Sequence, residues 1–418
     1  MDYESLLDAA LALRINPEKT RRFDPAQFES GLASLQQNPM LKTLSRPEID
    51  ISIVGTNGKG STSFLLAQLF GPGGPVGLYT SPHLRRVLER IRIGLCEVDA
   101  RTAWQAYQTV CEISTRADSE NSGVAGETAH TGTDGLTYFE ILTLMSGLLF
   151  SNQNLPVRIY EAGLGGRLDA TRIFKTRFAV LTNISLDHTE LLGTTPLAIL
   201  REKLGILTEQ TEMVMCMPQV YLSNEEIVLE AKKLQPGVRI EIFDERLTSA
   251  ESYIDYNIRF AQFCFQKIQT LTGRTQTAGA ISKIPGRLEQ FHIQDRTFVF
   301  DPAHNPDALR VALQSLEALP GFPGKDQALV VFGILPDRNL DQCLASIKSS
   351  GFSRVFQVTG GPFRTEKTGL NSVSFDALEQ ILPDLTAWNV FLGSHKLYDS
   401  FLDLLRGIQK LETNASTR

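Results

Sequence analysis

Short apolar runs alternate with stretches of helical character along the first two thirds of the chain. The runs lie at residues 50–55, 157–162, 178–184, 213–217 and 238–243. Between and after them, a nearly continuous apolar stretch at 137–150 predicts a buried helix, and residues 250–271 predict one long helix. Strands and helices that alternate in this way are typical of a mostly parallel sheet with helices on both faces.

A second alternating series begins after a polar stretch at residues 272–283, which has the composition of a linker. Its predicted strands lie at residues 297–300, 328–334, 355–359 and 390–392. Its predicted helices lie at residues 307–319, 340–349, 375–381 and 396–411. The whole pattern predicts two doubly wound α/β domains, with residues 1–283 in the first and residues 284–418 in the second.

Composition narrows the class of protein. At 418 residues, with 42% hydrophobic and 21% charged residues, the chain has the make-up of a globular protein of two or three domains. Its net charge of −6 gives no electrostatic reason to expect nucleic acid or an anionic membrane as a partner. The N-terminus lacks the parts of a signal peptide, and no apolar stretch is long enough to cross a bilayer. We therefore expect a cytoplasmic protein that binds neither nucleic acid nor membranes.

A glycine-rich motif between the first predicted strand and a helix-like stretch predicts phosphate binding. Such a turn directs backbone N–H groups and the positive end of the helix dipole at one point, where polyphosphate can bind. Lys59 would reach the β- and γ-phosphates, and Ser61 would hold Mg²⁺. The alternative is a glycine-rich turn without a ligand. The residues assigned to nucleotide binding are Gly55, Thr56, Asn57, Gly58, Lys59, Gly60 and Ser61.

Further polar residues follow other predicted strands, at the edge where open α/β sheets bind ligands. Glu140 stands at the front of the predicted buried helix, and a buried carboxylate needs a cation. With Ser61 and His188 it forms a mixed oxygen and nitrogen ligand set for divalent ions that assist phosphoryl transfer. Taken alone, His188 would be an ordinary core or surface histidine, and Lys203 an ordinary helix lysine.

Seven motifs follow one another along residues 50–310. They are Gly-Thr-Asn-Gly-Lys-Gly-Ser, Thr-Ser-Pro-His-Leu, Leu-Thr-Tyr-Phe-Glu, Glu-Ala-Gly-Leu-Gly-Gly-Arg-Leu-Asp-Ala-Thr, Asn-Ile-Ser-Leu-Asp-His-Thr, Pro-Gly-Arg-Leu-Glu and Asp-Pro-Ala-His-Asn-Pro. In this order they resemble the folylpolyglutamate synthase/dihydrofolate synthase family of the Mur-ligase superfamily.

The resemblance implies a Mur-ligase-like fold, in which a P-loop ATP-binding parallel-sheet domain precedes a smaller Rossmann-like α/β domain. It also implies an ATP-dependent amide ligase. ATP would phosphorylate a substrate carboxylate, the amine of L-glutamate would attack the acyl phosphate, and an amide, ADP and phosphate would form. The implied ligands are ATP, Mg²⁺, L-glutamate and a pterin or folate acceptor, and we expect a monomer.

The resemblance further assigns roles to single residues. The family lysine that matches Lys203 is carbamylated, which would turn this cation into an anion that supports a metal ion. Asn257 matches a residue that contacts adenine, Arg287 one that contacts phosphate, and Asp301 one on the ribose side. His304 would lie near the amino-acid end of the site. The implied catalytic residues are Lys59, Lys203, Arg287 and His304.

Departures from the family pattern leave two alternatives open. Arg338 stands where the family has lysine, and the N-terminal 45 residues lack the usual approach to the phosphate loop. One alternative is therefore a ligase of the same chemistry that acts on a different carboxylate acceptor. The other is a non-catalytic nucleotide-binding protein, against which the presence of all the assigned catalytic residues argues.

Overall fold

The computed structural model describes residues 2–13, 46–122, 136–336, 338–366 and 368–416. Of the atypical N-terminal 45 residues, residues 14–45 therefore lie outside the described part. The chain divides into two units, the first made of Met1–Asp244 with Phe260–Ile281 and the second of Glu245–Arg259 with Ser282–Arg418. The domain boundary between residues 283 and 284 stays a prediction.

The first unit is built on an eight-stranded sheet. Its strands are β1 (Ile49–Val54), β2 (Val76–Tyr79), β3 (Ile91–Ile93), β4 (Cys96–Glu97), β5 (Val157–Glu161), β6 (Phe178–Leu181), β7 (Met213–Cys216) and β8 (Arg239–Ile242). Their order is β4-β3-β2-β5-β1-β6-β7-β8. At one edge, β3 pairs antiparallel with both β2 and β4, and the remaining pairings are parallel. The five strands predicted for this part of the sequence are all present. The short strands β2, β3 and β4 were missed.

Helices surround this sheet. They are α1 (Tyr3–Ala12), α2 (Lys59–Phe70), α3 (Ala100–Ser122), α4 (Tyr138–Asn152), α5 (Thr189–Leu192), α6 (Pro196–Leu204), α7 (Asn224–Leu234) and α8 (Tyr253–Thr272). The predicted buried helix is α4, and the predicted long helix is α8, whose first residues up to Arg259 belong to the second unit. In the described part of the chain, no helix has both the length and the apolar character that crossing a membrane requires.

The core of the first unit explains why its strands read as continuous apolar runs. Ile51 and Ile53 of β1 are fully buried, as are Leu65 and Leu66 of the helix α2 that follows it. Central strands of a parallel sheet are covered by helices on both faces, so the alternation of apolar and polar residues disappears. This core holds the carboxyl ends of the central strands in fixed positions.

The polar stretch that the sequence marks as a linker is partly fixed to the first unit. The Gly279 N–H donates to the Leu69 carbonyl at 3.0 Å, and the Gln276 amide donates to the Phe70 carbonyl at 2.7 Å. A Cβ at Gly279 would lie 2.0 Å from the Gln68 carbonyl oxygen, so only glycine allows this close approach. The stretch up to Ile281 therefore packs on the end of α2.

The second unit is a six-stranded sheet with helices of its own. Its strands are β9 (Glu289–Ile293), β10 (Arg296–Asp301), β11 (Ala328–Gly333), β12 (Arg354–Thr359), β13 (Asn371–Ser374) and β14 (Trp388–Gly393), in the order β13-β12-β11-β14-β10-β9. Its helices include α9 (Pro306–Leu316), α10 (Leu340–Ser349) and α11 (Tyr398–Ser416). β9 pairs antiparallel with β10, and the remaining pairings are parallel. The helix predicted at residues 375–381 is a kinked 3₁₀ segment, Phe375–Asp384.

Candidate active site

The phosphate loop connects β1 to α2 through two glycines with positive φ. Gly55 has φ 150°, and Gly58 has φ 83° at the N-cap of α2. A Cβ at Gly55 would lie 1.8 Å from the Thr182 hydroxyl oxygen, so no larger residue fits there. The first turn of α2 begins at Lys59, and the first turn of a helix carries N–H groups without intrahelical partners. The loop thus has the geometry of a phosphate cradle.

Two N–H groups of this loop are already used within the protein. The Thr56 N–H donates to the Asn183 carbonyl at 2.7 Å, and the Asn57 N–H donates to the Asn183 side-chain oxygen at 2.6 Å. These two N–H groups are therefore directed at Asn183, and the assignment of Thr56 and Asn57 to nucleotide binding stays a prediction. The N–H groups left without intrahelical partners are those in the first turn of α2, which begins at Lys59 after the N-cap Gly58.

Two predicted catalytic lysines meet at one carbonyl oxygen of the loop. Lys59 Nζ lies 3.0 Å from the Gly55 oxygen and 3.3 Å from the Thr56 oxygen. Lys203 Nζ, on α6, lies 2.7 Å from the same Gly55 oxygen. The structure therefore brings together two residues that are far apart in sequence and that the sequence assigned to one site.

Burial changes the chemistry of Lys203. Its side chain is 3% exposed, and burial together with the nearby charge of Lys59 holds the pKa of the Lys203 amine well below its usual value. Asp187 and Asp169 act in the opposite direction but do not cancel the effect. An amine with a lowered pKa is neutral over a wider pH range, which makes it a nucleophile.

The backbone around Lys203 is held by the glycine-rich segment after β5. A Cβ at Gly166 would lie 2.3 Å from the Lys203 carbonyl oxygen, and a Cβ at Gly163 would lie 2.7 Å from the Phe139 ring. Gly166 therefore allows α6 to pack closely against this segment, and Gly163 allows the same for the Phe139 ring.

The metal candidate Glu140 has a structural role at the start of α4. The Thr137 N–H donates to Glu140 Oε2 at 2.6 Å, and the Glu140 N–H donates to Thr137 Oγ1 at 3.3 Å. This reciprocal pair is a capping box. A helix N-terminus and a backbone donor thus stabilise the buried carboxylate, where the sequence argument asked for a cation.

His188 and Ser61 each lie where a helix starts. His188 has φ 48° at the N-cap of α5, and its Nδ1 is 3.9 Å from Glu190. Ser61 is buried in the first turn of α2. Among the described residues, no three His, Cys, Asp or Glu side chains lie close enough together to hold a metal ion. Ser61, Glu140 and His188 remain a predicted ligand set.

In the second unit, Asp301 is the centre of a hydrogen-bonded cluster. It is 3% exposed and accepts hydrogen bonds from the Tyr253 hydroxyl, from the Leu288 N–H at 3.0 Å and from the Ala303 N–H at 2.9 Å. Burial raises the pKa of its carboxyl, while the Arg287 charge and these donors oppose the rise. The structure therefore places the predicted residues Arg287 and Asp301 side by side.

The other predicted residues of this unit are placed as follows. Asn257 is buried on α8, at 5% exposure. His304 follows β10, and its Nδ1 lies 2.7 Å from the Pro302 carbonyl oxygen. Sequence reasoning missed Thr182 and Asn183, although Asn183 opens the motif Asn-Ile-Ser-Leu-Asp-His-Thr. Their signal was their place directly after β6, the neighbour of β1 in the sheet.

Comparison with known proteins finds a matching family model and similar sequences. A family model described as "Mur ligase, glutamate ligase domain" matches residues 286–378. The chain is 32% identical over 309 residues to "Dihydrofolate synthase/folylpolyglutamate synthase" of Buchnera aphidicola subsp. Schizaphis graminum, covering 69% of each chain. It is 29% identical to the protein of the same name from Escherichia coli (strain K12), covering 84% of this chain and 82% of that one.

A solved structure has the same fold. It is a "bifunctional folylpolyglutamate synthase/dihydrofolate synthase complexed with AMPPNP and Mn ion" from Yersinia pestis. The TM-score is 0.73 at 23% sequence identity, and the match covers 96% of this chain and 98% of that chain. Identity at this level relates the two folds and does not by itself assign a ligand to this chain.

Proposed function

This chain belongs to the dihydrofolate synthase/folylpolyglutamate synthase family, and we propose on that premise that it joins L-glutamate to dihydropteroate or to a folate at the expense of ATP. Its two α/β units have the Mur-ligase fold predicted from the sequence. In the reaction, the acceptor carboxylate takes the γ-phosphoryl group of ATP and ADP leaves. The glutamate amine then attacks the acyl carbon, the C–N bond forms, and phosphate leaves as the amine loses a proton.

The observation that supports this function most strongly is the meeting of Lys59 and Lys203 at the Gly55 carbonyl. Phosphoryl transfer needs positive charge where the γ-phosphoryl group develops its own charge. Lys59 supplies it from the first residue of α2, beside the positive end of that helix. A phosphate loop with a second lysine buried against it is built for group transfer rather than for packing.

The residues present fit a divalent ion. A hydroxyl, a carboxylate and an imidazole from Ser61, Glu140 and His188 are ligands that Mg²⁺ or Mn²⁺ accepts, and Ser61 and Glu140 are buried. When bound, the ion would neutralise charge on the phosphates during transfer. Arg287 and Asn257, by their match to the family, are proposed to contact the phosphate and the adenine of ATP.

Lys203 is proposed to carry a carbamate. Its amine has a lowered pKa and is therefore available to attack the carbon of CO₂, which forms a C–N bond and releases a proton. The product is an anion, which reverses the charge of the residue beside Lys59. Labelling the protein with isotopically enriched CO₂ and recording its carbon NMR spectrum tests this, with Lys203→Met as the control that must lose the signal.

The function itself is tested by measuring ADP release in a coupled assay with glutamate present. Three reactions are compared, with dihydropteroate, with tetrahydrofolate monoglutamate and with no acceptor. A rise in ADP release with either acceptor, absent in Lys59→Ala, supports the proposal and identifies which acceptor is used. If neither acceptor raises the rate above that of the acceptor-free reaction, the proposal is wrong, and the alternatives of another acceptor or of no catalysis return.

A further inference from the structure

The phosphate loop is held from the side by three residues of the neighbouring strand connection, Thr182, Asn183 and Ser185, which we call the brace. β1 and β6 are parallel neighbours, with Ile53 opposite Val180. The chain that leaves β6 therefore runs beside the chain that leaves β1. Because the brace follows β6 directly, its position is set by the rigid centre of the sheet.

Asn183 makes the closest contacts of the brace. Its carbonyl oxygen accepts the Thr56 N–H at 2.7 Å, and its side-chain oxygen accepts the Asn57 N–H at 2.6 Å. One residue thus fixes two consecutive peptide groups of the phosphate loop. With both N–H groups bonded to Asn183, phosphate would be left to the first-turn N–H groups of α2.

Ser185 and Thr182 hold the same two loop residues by other atoms. The Thr56 hydroxyl donates to the Ser185 carbonyl at 3.1 Å, and the Asn57 amide donates to the Ser185 hydroxyl oxygen at 3.3 Å. The Thr182 hydroxyl donates to the Asn57 carbonyl at 2.7 Å. Hydrogen bonds to all three residues of the brace therefore constrain the conformation of Thr56 and Asn57.

The brace is itself held in place by Gln219, which follows β7. The Ile184 N–H donates to Gln219 Oε1 at 2.6 Å, and Gln219 Nε2 donates to the Thr182 carbonyl at 2.8 Å. Gln219 is 4% exposed, so these bonds are shielded from water. A polar contact supported in this way positions a site more precisely than a contact between two mobile loops.

We propose that Asn183 is a positioning residue for the nucleotide: by holding the Thr56 and Asn57 N–H groups it sets the loop in the conformation that receives the phosphates. The inference rests on the proposed ATP-dependent function. Small displacements of groups that bind the reacting phosphates are expensive, because the bound geometry decides affinity and rate. The loss of the Asn183 side chain should therefore affect nucleotide binding more than binding of the amino acid.

The test is the variant Asn183→Ala, probed with ADP and Mg²⁺ by isothermal titration calorimetry. Its side-chain acceptor is gone and the Asn57 N–H is left without it, so we expect the Kd for ADP to rise about tenfold. In the coupled assay the KM for ATP should rise by about the same factor, while the KM for glutamate stays within about twofold of the wild-type value.

Asn389→Ala is a matched control, because Asn389 is a buried asparagine that braces backbone outside the site. Its side-chain oxygen accepts the Thr386 N–H at 2.8 Å, and its amide donates to the Thr386 carbonyl at 2.8 Å. It is fully buried on β14. This variant should lower the melting temperature and leave the Kd for ADP unchanged, which is the pattern of a purely structural amide.

The outcomes separate this inference from the proposed function. If wild-type protein does not bind ADP, the proposed function fails and the inference fails with it. If wild-type protein binds ADP and Asn183→Ala binds it equally well, Asn183 is structural and only the inference is overturned. Should Asn183→Ala not fold, Ser185→Ala tests the same brace. An increase of about threefold in its Kd supports the inference, and an unchanged Kd overturns it.

Discussion

Lys203 in the first unit and Asp301 in the second are both buried ionisable residues, and they differ in the groups that surround each side chain. Lys203 is bound to the Gly55 carbonyl with a like charge nearby, and the pKa of its amine falls. Asp301 accepts three hydrogen bonds and has the Arg287 charge beside it. Burial disfavours the charge in both cases. Asp187 and Asp169 oppose this at Lys203, whereas Arg287 and three hydrogen-bond donors oppose it at Asp301, where burial still raises the pKa of the carboxyl.

The difference teaches that burial alone does not separate a reactive group from a structural one. An ionisable side chain that is buried and sparsely stabilised changes its protonation state and becomes chemically available. One that accepts several hydrogen bonds fixes the position of its donors and organises the chain around it. We therefore expect Lys203 to matter for the reaction and Asp301 to matter for the fold, in addition to any contact with ribose.

The first prediction tests the reactive role of Lys203 with the variant Lys203→Met. A methionine keeps the volume and removes the amine, so turnover should fall by about a thousandfold, as for loss of a group that acts only in the transition state. The free energy of unfolding without ligands should stay equal or rise, because a buried amine beside Lys59 is removed. Lys175→Met, which affects an exposed lysine paired with Glu209, is the control and should change neither quantity.

Activity assays and urea unfolding of the same preparations decide this prediction. A Lys203→Met protein with near-normal turnover would remove Lys203 from the mechanism. A variant that unfolds would instead make Lys203 a structural residue, and the contrast with Asp301 would disappear.

The second prediction tests the other side of the comparison. Asp301→Ala leaves the Leu288 and Ala303 N–H groups and the Tyr253 hydroxyl without their acceptor, and the Arg287 charge without its neighbour. We expect a loss of about 3 kcal/mol in the free energy of unfolding of the second unit. Asp403→Ala, which breaks only an exposed ion pair with Arg406, should cost less than about 1 kcal/mol. Equal losses in the two variants would contradict a structural role for Asp301.

The third prediction concerns Asp50 on β1, a carboxyl with fewer donors than Asp301. It accepts the Arg177 N–H at 2.7 Å, and burial raises its pKa to about 6. Because the folded pKa lies above the unfolded value of 3.8, the native state binds the proton more tightly. The stability contributed by protonated Asp50 is full below about pH 4, and it is lost as the pH rises to about 6.

Asp50→Asn should therefore be more stable than the wild type at pH 7 by about 3 kcal/mol, with the difference vanishing near pH 4. Urea unfolding of both proteins at several pH values measures it. Asp99→Asn is a control of opposite sign, since hydrogen bonds from Thr102 lower the pKa of Asp99 and its contribution is lost as the pH falls. If the difference in free energy of unfolding between Asp50→Asn and wild type stays constant from pH 4 to pH 7, the pKa of Asp50 is not raised.

The secondary-structure elements show which parts of the fold the sequence could predict. Five strands of the first sheet, four strands of the second, the buried helix α4 and the strand-to-helix glycine loop were predicted because their apolar periodicity and glycine spacing are local properties. The strands β2, β3, β4, β9 and β13 were missed, since runs of two to five residues carry little periodicity. The monomeric state remains a prediction.

The site was predictable as a set of residues and not as a set of contacts. That Lys59 and Lys203 share the Gly55 carbonyl depends on the packing of α6 against the strand ends, which no local pattern encodes. In the same way, the motif that contains Asn183 was visible, but its bond to Asn57 follows from the order of strands in the sheet. Non-local contacts of this kind can be predicted only once the strand order and the helix packing are known.

The last prediction applies the comparison to Glu140, a buried carboxylate that has one role in the fold and is proposed to have another at a metal ion. Its side chain completes the capping box of α4 with Thr137. Glutamine can also fill this position of a capping box, so Glu140→Gln should keep the stability within about 0.5 kcal/mol of wild type. It loses the negative charge, and the Mg²⁺ concentration needed for half-maximal turnover should rise about tenfold.

Thr137→Ala should have the opposite effects on stability and on the Mg²⁺ requirement, because it removes the N-cap side chain of α4 and leaves the Glu140 carboxylate in place. It should cost about 1 kcal/mol of stability and leave the Mg²⁺ requirement unchanged. Titration of activity with Mg²⁺, together with urea unfolding, measures both quantities in both variants. If Glu140→Gln lowers stability and keeps the wild-type Mg²⁺ requirement, Glu140 belongs with Asp301 among the groups that organise the fold. The metal set proposed with Ser61 and His188 then needs a different carboxylate.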